Sequence, residues 1–311
     1  MQDCLIPRKD GTKTMTELLN VITSRRYGTL SPLRYPGGKS ALAGLFADVL
    51  AGLDVVDPVY VEPYAGGAGA GIALLREGLV SKLVINDIDP AVHAFWIAAT
   101  EHSEDLVDRV LHTPLDVDQW RLQRDIYRSK SSPTVDLGFA FFYLNRTNRS
   151  GVLNAGVIGG NDQSGNYKID ARFNRTALAE RLSAIGELAD QIEVTDLDGR
   201  SVIRTYGTDP SAFLYIDPPY VQAGSQLYLN SFDGRDHEAL AAIVGAVDSA
   251  HWLITYDVSS LIERLYGSYF QCRLELNYSA RYPGRASELL VASDSVASQI
   301  KRLHSAVAAT A

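Results

Sequence analysis

The stretch from residue 58 to residue 87 most constrains the fold, because strand-like and helix-like patterns alternate within it. Residues 58–62 form a short apolar run typical of a buried strand. A glycine-rich turn and a run with apolar residues at helical spacing follow, and residues 82–86 form a second apolar run that ends at Asp87. Strand, helix and strand in this order predict a βαβ unit and therefore a parallel sheet.

The same pattern returns in the second half of the chain. Residues 213–216 and 252–256 are predicted strands, each followed by a helical pattern, with Asp236 as the candidate N-cap of the first helix. Residues 270–276 and 288–292 are predicted to pair as a C-terminal antiparallel hairpin. The fold class expected is therefore α/β, with a Rossmann-like sheet, this hairpin and an inserted, mainly helical subdomain. The expected divisions are an extension at 1–28, sheet parts at 29–119 and 207–300, the insertion at 120–206 and a tail at 301–311.

Charge is distributed unevenly along a chain whose net charge is −8. Residues 121–181 contain ten basic and five acidic side chains, so this segment is positive and the remainder is strongly negative. Nucleic-acid binding needs positive charge opposite the phosphates, and the segment is the expected nucleic-acid-facing part. Charge alone is equally compatible with arginines scattered over a solvated surface.

Cysteine content and hydropathy argue against several other classes of protein. Cys4 and Cys272 are far apart and lie outside any zinc-ligand or disulfide spacing, and the six histidines also form no metal-ligand spacing. No run approaches the roughly 18 apolar residues that indicate a transmembrane helix, and the charged start lacks the apolar run of a signal peptide. We expect a cytoplasmic protein with no membrane partner and no metal.

The glycine-rich turn at residues 64–71 is a candidate ligand site, because missing Cβ atoms let the backbone approach a ligand closely. Its glycines do not match the dinucleotide-binding GxGxxG register, since Ile72 stands where a glycine is required. Asp87 ends the next strand, where Rossmann-like folds place a carboxylate on ribose hydroxyls. An adenosine-containing cofactor fits both features. Tight packing of the turn, and helix capping by Asp87 before Pro90, are the structural alternatives.

The run Gly37-Gly38-Lys39-Ser40 matches a phosphate-binding P-loop only in part, because Leu33 occupies the position of the required first glycine. We therefore reject nucleoside triphosphate hydrolysis. Lys39 precedes a predicted amphipathic helix, and a cation there is unfavourable unless an anion lies close. A ligand that bears a carboxylate would supply that anion.

The tetrapeptide Asp217-Pro218-Pro219-Tyr220 stands at the end of a predicted strand, where open α/β sheets bind their ligands. Two prolines remove two backbone donors and fix φ, which leaves a rigid turn that presents acceptors. Such a turn suits an exocyclic amine, whose two N–H groups can donate to the Asp217 side chain and the Pro218 carbonyl while the Tyr220 ring stacks on the base.

With this motif included, the chain from Leu33 to about Ala292 resembles the Dam-like, alpha-class adenine-specific DNA N6-methyltransferases. The segments that carry the resemblance, in the order of that family, are 34–39, 62–67, 143–146 with Gly151, 217–220, 236–240 and 285–290. Any one of them could occur by chance, but the ordered set is a strong signal. Residues 148–174 do not follow the short hairpin of GATC-specific members, so the target sequence does not transfer.

The resemblance implies a site-specific enzyme that transfers a methyl group from S-adenosyl-L-methionine to the N6 amine of an adenine flipped out of double-stranded DNA. S-adenosyl-L-homocysteine is the product that it implies. The implied catalytic residues are Asp217, Pro218, Pro219 and Tyr220. The implied cofactor-binding residues are Tyr35, Lys39, Glu62, Tyr64, Ala65, Gly66, Gly67, Asp87 and Asp217. The implied DNA-binding residues are Asn145, Arg146, Arg149, Lys168 and Arg172. A restriction-modification or phage-defence partner is left open.

Three alternative functions stay open from the residues. The same amine-directed motif suits cytosine N4 or adenine in RNA. A catalytically idle DNA-binding module of the same fold is a second alternative, although the intact 217–220 motif argues against it. A nicotinamide-dependent dehydrogenase is disfavoured by the glycine register and by the two adjacent prolines.

Overall fold

The computed structural model of the protein describes nine stretches of the chain. They are residues 4–7, 13–16, 18–19, 27–28, 30–34, 39–129, 134–221, 232–278 and 284–310. Tyr35, which the sequence predicts to bind the cofactor, lies outside the described residues.

Ten strands are described, and eight of them form one mixed sheet. The strands are β1 (Cys4–Pro7), β2 (Lys13–Thr16), β3 (Leu18–Leu19), β4 (Val59–Glu62), β5 (Lys82–Asn86), β6 (Ile192–Thr195), β7 (Ala212–Ile216), β8 (His251–Asp257), β9 (Phe270–Tyr278) and β10 (Gly284–Ala292). The order across the main sheet is β3-β9-β10-β8-β7-β4-β5-β6. Strands β8, β7, β4, β5 and β6 are parallel, and β9 and β10 form an antiparallel pair joined to β8.

Helices cover both faces of the sheet. They are α1 (Ala43–Leu53), α2 (Gly69–Arg76), α3 (Pro90–Glu101), α4 (Ser103–His112), α5 (Val117–Ser129), α6 (Thr134–Thr147), α7 (Arg175–Gly186), α8 (Gly199–Tyr206), α9 (Gly234–Val244), α10 (Ser260–Leu265) and α11 (Asp294–Thr310). Short 3₁₀ helices span Lys39–Leu42, Arg149–Gly151, Ile169–Arg172 and Ala189–Gln191.

The apolar runs of the sequence are explained by burial on both sides of the sheet. Along β4, Tyr60 belongs to the core under α1 and α2, whereas its neighbour Val61 belongs to the core under α8, α9 and α10. A strand buried on both faces needs apolar residues at successive positions, which is typical of parallel sheets. The predicted α/β sheet and its C-terminal hairpin are confirmed.

The strand order reverses between β4 and β7, because the chain runs from β4 towards β5 and β6 on one side and from β7 towards β8 on the other. The carboxyl ends of strands at such a reversal diverge and leave a crevice, which is where open α/β sheets bind ligands. The glycine-rich turn follows β4, and the 217–220 motif follows β7.

The inserted region is helical and lies between β5 and β6, which also confirms that part of the predicted fold. Its far boundary differs from the expected residue 206. Strand β6 pairs in parallel with β5, and α8 packs against the sheet through Val202 and Ile203, so residues 192–206 belong to the sheet layer. The four residues of β6 alternate between apolar and polar and are all half-buried, and the sequence pattern missed β6 because the run is so short.

Smaller differences occur at the chain ends and at α9. Strands β1 and β2 pair with each other within the expected N-terminal extension, and β3 adds to β9. Helix α11 continues to Thr310 through the expected tail. The N-cap of α9 is Asp233, and Asp236 is its reciprocal partner three residues later in a capping box.

The described part of the chain shows neither a membrane-spanning helix nor a cluster of metal-ligating side chains. None of the helices described has the length and apolar character needed to cross a bilayer. In the same part of the chain, no three His, Cys, Asp or Glu side chains cluster as metal ligands would.

Candidate functional site

The glycine-rich turn after β4 is held in place by contacts from three directions. Gly66 adopts a φ of 47°, a left-handed conformation that glycine takes without a steric cost. The indole N–H of Trp96 donates to the Gly66 carbonyl at 2.9 Å, and the N–H of Ala65 donates to the Asn86 carbonyl at 2.9 Å. The hydroxyl of Ser31 donates to the Gly67 carbonyl at 2.6 Å. The turn is therefore a fixed backbone surface beside the end of β5.

Asp87 is bound to this turn and is not the cap of α3. Its carboxylate accepts the N–H of Gly66 and the N–H of Asp89, each at 3.0 Å. The N-cap of α3 is Asp89, which accepts the N–H of Ala91, with Pro90 in the first turn. Burial raises the pKa of Asp87 to about 6, although both backbone N–H groups act in the opposite direction. The carboxylate thus stands next to the glycine-rich turn, as the cofactor prediction requires.

Two apolar side chains flank Asp87, and the sequence analysis did not single them out. Ile88 is 47% exposed and Leu197, after β6, is 49% exposed. The side-chain amide of Asn86 joins the two strand ends, because it donates to the Leu197 carbonyl at 2.9 Å and accepts the Leu197 N–H at 2.9 Å. Exposed apolar residues beside a carboxylate that is predicted to bind ribose suit a flat heterocycle such as adenine. In the sequence, Ile88 could have been recognised as an apolar residue directly after the acidic residue that follows a strand.

Glu62 lies below the turn at the start of α2 and does not face the crevice. It is 4% exposed, and its carboxylate accepts the N–H of Gly71 at 3.0 Å. A Cβ on Gly71 would lie 2.5 Å from Leu83, so glycine is required for this close approach. Burial raises the pKa of Glu62 to about 8, against the effect of the Gly71 N–H, and the charge of Asp217 adds to the rise. Glu62 therefore anchors the turn to its helix.

Tyr64 points away from the turn towards the opposite face of the sheet. Its ring contacts Phe232 edge-on, with ring centroids 5.9 Å apart, and leaves no room for a Cβ on Gly199. Burial raises the pKa of Tyr64 above its ordinary range. The structure thus places Tyr64 in the packing of the loop, whereas Ala65, Gly66 and Gly67 form the surface beside Asp87.

Four side chains converge where β7 and β8 end, beside the middle of β10. The ammonium of Lys39 lies 3.3 Å from a carboxylate oxygen of Asp217, 3.1 Å from one of Glu288 and 2.5 Å from the hydroxyl of Tyr220. That hydroxyl also lies 3.1 Å from Asp217 and 2.8 Å from Glu288. Burial lowers the pKa of Lys39, but the two carboxylates reverse this and raise it above the ordinary value, so the ammonium stays charged.

Hydrogen bonds from residues of β7 and β8 hold Asp217 and the chain just after the 217–220 motif. The hydroxyl of Thr255, on β8, donates to Asp217 at 2.9 Å, and Tyr215 shares a hydrogen bond of 2.7 Å with Thr255. Asp257, at the end of β8, accepts the N–H of Val221 at 3.0 Å and so fixes the chain just after the 217–220 motif. Pro218 is buried, whereas Asp217, Pro219 and Tyr220 are partly exposed. In the sequence, Thr255 and Glu288 could have been recognised as candidate site residues because they are polar residues within apolar strands.

Asn145 and Arg146 were predicted to contact DNA, and the structure places them elsewhere. Asn145 is 2% exposed and forms a reciprocal pair with the main chain of Arg34, at 2.7 Å and 2.9 Å. Arg146 is 8% exposed and donates to the Pro32 carbonyl at 2.7 Å. Burial and the charges of Arg181 and Arg34 lower the pKa of Arg146 to about 9. Both side chains hold the segment that leads to Lys39, because their fixed position on buried α6 directs them inward.

The 31–34 segment consequently connects the helical insertion to the glycine-rich turn. Arg181, on α7, donates to the Ser31 carbonyl at 3.2 Å, and the Ser31 hydroxyl reaches Gly67. Gly151 has a φ of 73°, and a Cβ there would lie 2.8 Å from the Arg34 carbonyl, so this turn also requires glycine.

The other three basic residues predicted to contact DNA are exposed. Arg149 lies in the 3₁₀ turn after α6, and Lys168 and Arg172 flank the short helix Ile169–Arg172. The guanidinium of Arg172 lies 6.0 Å from the ring centroid of Tyr167, which is 68% exposed. Lys168 donates to the Gln163 carbonyl. These residues form an accessible basic surface with one exposed aromatic ring.

Comparison with known proteins agrees with this arrangement of sites. Residues 35–279 match the family model described as D12 class N6 adenine-specific DNA methyltransferase. The chain belongs to this family. The match includes the turn, Asp87, the helical insertion and the 217–220 motif, and it extends into the C-terminal hairpin. This D12-class enzyme therefore methylates adenine N6 in DNA, and membership implies S-adenosylmethionine as the methyl donor.

More distant similarities exist among solved structures, and no curated protein matches the chain. Two structures of the rRNA methyltransferase aviRa from Streptomyces viridochromogenes align at 15% and 14% identity. Their TM-scores are 0.38 and 0.37, and the alignments cover 85% and 84% of this chain and 89% and 88% of the other. Similarity at this level says nothing about the substrate of the D12-class enzyme.

Proposed function

We propose that Asp217, Pro218, Pro219 and Tyr220 hold the target amine, and that the crevice between β4 and β7 holds S-adenosylmethionine. The observation that carries this proposal is the convergence of two features at the point where the strand order reverses. The glycine-rich turn with Asp87 follows β4 and β5, and the 217–220 motif follows β7. A donor bound at the first and an amine bound at the second would meet in one crevice.

The residues near Asp87 fit S-adenosylmethionine in chemical character. Asp87 would accept the ribose hydroxyls, and Ile88 and Leu197 would cover the faces of the adenine ring. Gly66 and Gly67 leave room for the backbone to approach the ligand. Lys39 and Tyr35 stay candidates for the methionine end, and Ala65 for the wall of the pocket. When bound, the cofactor supplies a methyl group activated by its positive sulfonium.

The 217–220 motif would orient the acceptor nitrogen. Asp217 and the Pro218 carbonyl accept the two N–H groups of the amine, which turns the nitrogen lone pair towards the donor side. These acceptors also stabilise the positive charge that grows on nitrogen as it is methylated. The Tyr220 ring would stack on the flipped base and return part of the unstacking energy, on the order of a few kcal/mol. No covalent enzyme intermediate is needed.

The exposed basic surface is the proposed DNA contact. Arg149, Lys168 and Arg172 lie in the positively charged segment of an otherwise acidic chain. Phosphate contacts of this kind position the duplex, and a base contact is needed for sequence choice. Cytoplasmic location and a restriction partner also stay predictions.

The test is methyl transfer from tritiated S-adenosylmethionine to unmethylated duplex DNA, followed by nucleoside analysis. Label is expected in N6-methyladenine. The variant Asp217→Ala should lose activity by about 100-fold or more, as when a transition-state contact is removed. The matched control is Asp209→Ala, because Asp209 lies in the turn before β7 and bonds only Ser211 among the described contacts of its side chain. Full activity of Asp217→Ala, or label in N4-methylcytosine, would overturn the assignment.

A further inference from the structure

Glu288 is a buried carboxylate in the middle of β10, opposite the end of β8, and the proposed mechanism assigns it no role. Its side chain is 3% exposed, whereas that of Asp217 is 22% exposed. The two carboxylates share the same donors, the ammonium of Lys39 and the hydroxyl of Tyr220. Asp217 is therefore the outward carboxylate of the pair and Glu288 the inward one.

The distances favour Glu288 as the main partner of both donors. Lys39 lies 3.1 Å from Glu288 and 3.3 Å from Asp217. The Tyr220 hydroxyl lies 2.8 Å from Glu288 and 3.1 Å from Asp217. A tyrosine hydroxyl carries one proton and can donate it to one carboxylate only. The shorter distance assigns that proton to Glu288.

We propose that Glu288 is a positioning residue that draws Lys39 and Tyr220 inward and so leaves an acceptor oxygen of Asp217 available to the adenine amine. This inference rests on the proposed function, in which Asp217 accepts an N–H of that amine. Without a charge at position 288, Lys39 has Asp217 as its remaining carboxylate in the cluster, and the Tyr220 proton turns to Asp217. Thr255 donates to the same Asp217 oxygen that the Tyr220 hydroxyl faces, so that oxygen would then accept two protein donors and have no site left for the amine.

Charge balance acts in the same direction. Among the described side chains of the cluster, one ammonium faces two carboxylates, and this excess of negative charge favours the positive charge that develops on N6. Replacing Glu288 by a neutral amide removes this excess. Both effects act on the transfer step and on the amine, and the contacts near Asp87 that would bind adenosine are untouched.

The experiment compares single-turnover methylation of duplex DNA by the wild-type protein, Glu288→Gln, Tyr220→Phe and the double variant. Glu288→Gln should slow transfer at saturating S-adenosylmethionine by about 10-fold to 100-fold, and the dissociation constant of adenosine, which lacks the methionine end, should stay within about twofold in calorimetry. In the Tyr220→Phe background the same substitution should cost less, because the hydroxyl that would turn to Asp217 is absent.

The edge strand β6 offers a matched control. Glu193 also contacts a lysine and a tyrosine hydroxyl, namely Lys82 at 2.5 Å and Tyr206 at 3.1 Å. Glu193→Gln should leave the transfer rate unchanged. An unchanged rate in Glu288→Gln, strictly additive effects in the double variant, or a parallel loss of adenosine affinity would each overturn the positioning role. Absence of methylation by the wild-type protein would instead overturn the proposed function, and this inference with it.

Discussion

The buried carboxyl group of Glu62 should make the stability of the enzyme depend on pH, and Glu62→Gln should remove that dependence. The pKa of Glu62 is raised from its ordinary value of 4.5 to about 8, mainly by burial. The folded state therefore binds a proton at Glu62 more tightly than the unfolded chain does. A glutamine keeps an oxygen that can accept the Gly71 N–H and carries no charge.

The sign and size of the effect follow from proton linkage. Between pH 4.5 and pH 8 the folded state holds more protons at this position than the unfolded state, so the free energy of unfolding falls as the pH rises. Above pH 8 both states are ionised and the loss is complete. From pH 5.5 to pH 8.5 these pKa values give a loss of about 3 kcal/mol.

Urea unfolding followed by circular dichroism at pH 5.5 and pH 8.5 measures this difference directly. The free energy of unfolding of wild-type protein should fall by about 3 kcal/mol more than that of Glu62→Gln, since all other groups titrate equally in both. Parallel pH profiles would refute the argument, and so would a wild-type protein that gains stability relative to Glu62→Gln as the pH rises.

Three further predictions concern the binding sites. Asn145→Ala removes two bonds to the main chain of Arg34, so it should weaken S-adenosylmethionine binding by about tenfold and leave DNA affinity unchanged. Arg172→Ala should weaken DNA binding and leave S-adenosylmethionine affinity unchanged. Calorimetry measures the cofactor affinity and fluorescence anisotropy the DNA affinity. An Asn145→Ala variant impaired only in DNA binding would contradict this prediction. Because the pKa of Asp87 is about 6 and ribose hydroxyls need an ionised acceptor, cofactor affinity should fall about tenfold from pH 8 to pH 5. Asp87→Asn should show a flat pH profile, and an equal fall in that variant would show that another group titrates.

Much of the architecture could be predicted because local patterns determine it. Strand β5 spans the predicted residues 82–86, β4 and β7 differ from prediction by one residue at one end, and β8 is longer than predicted by one residue at each end. Burial on both faces of the sheet demands uninterrupted apolar runs, and such runs are visible in a single sequence. The 217–220 motif was equally visible, since two adjacent prolines are rare at a strand end.

The remaining features depend on contacts between residues far apart in the chain. Asn145 reaches Arg34, 111 positions away, and an asparagine near the end of a helix gives no sign in the sequence that it will be buried. Glu288 meets Tyr220 across 68 positions because β10 lies beside β8 in the sheet. Strand order is not encoded in local periodicity, so the inward carboxylate could not be assigned from the sequence.

The connection through the 31–34 segment sets a limit on how a new target sequence can be acquired. Exposed positions after Asn148 can diverge, or be exchanged between relatives, as long as the exposed basic surface is kept together with Gly151 and Arg181, which contact the 31–34 segment. Asn145 and Arg146 hold the main chain that leads to Lys39, so a transplant that starts two or three residues too early would carry foreign partners for that main chain. The acceptable junction for engineering specificity therefore lies between Arg146 and Arg149, within the turn that ends α6.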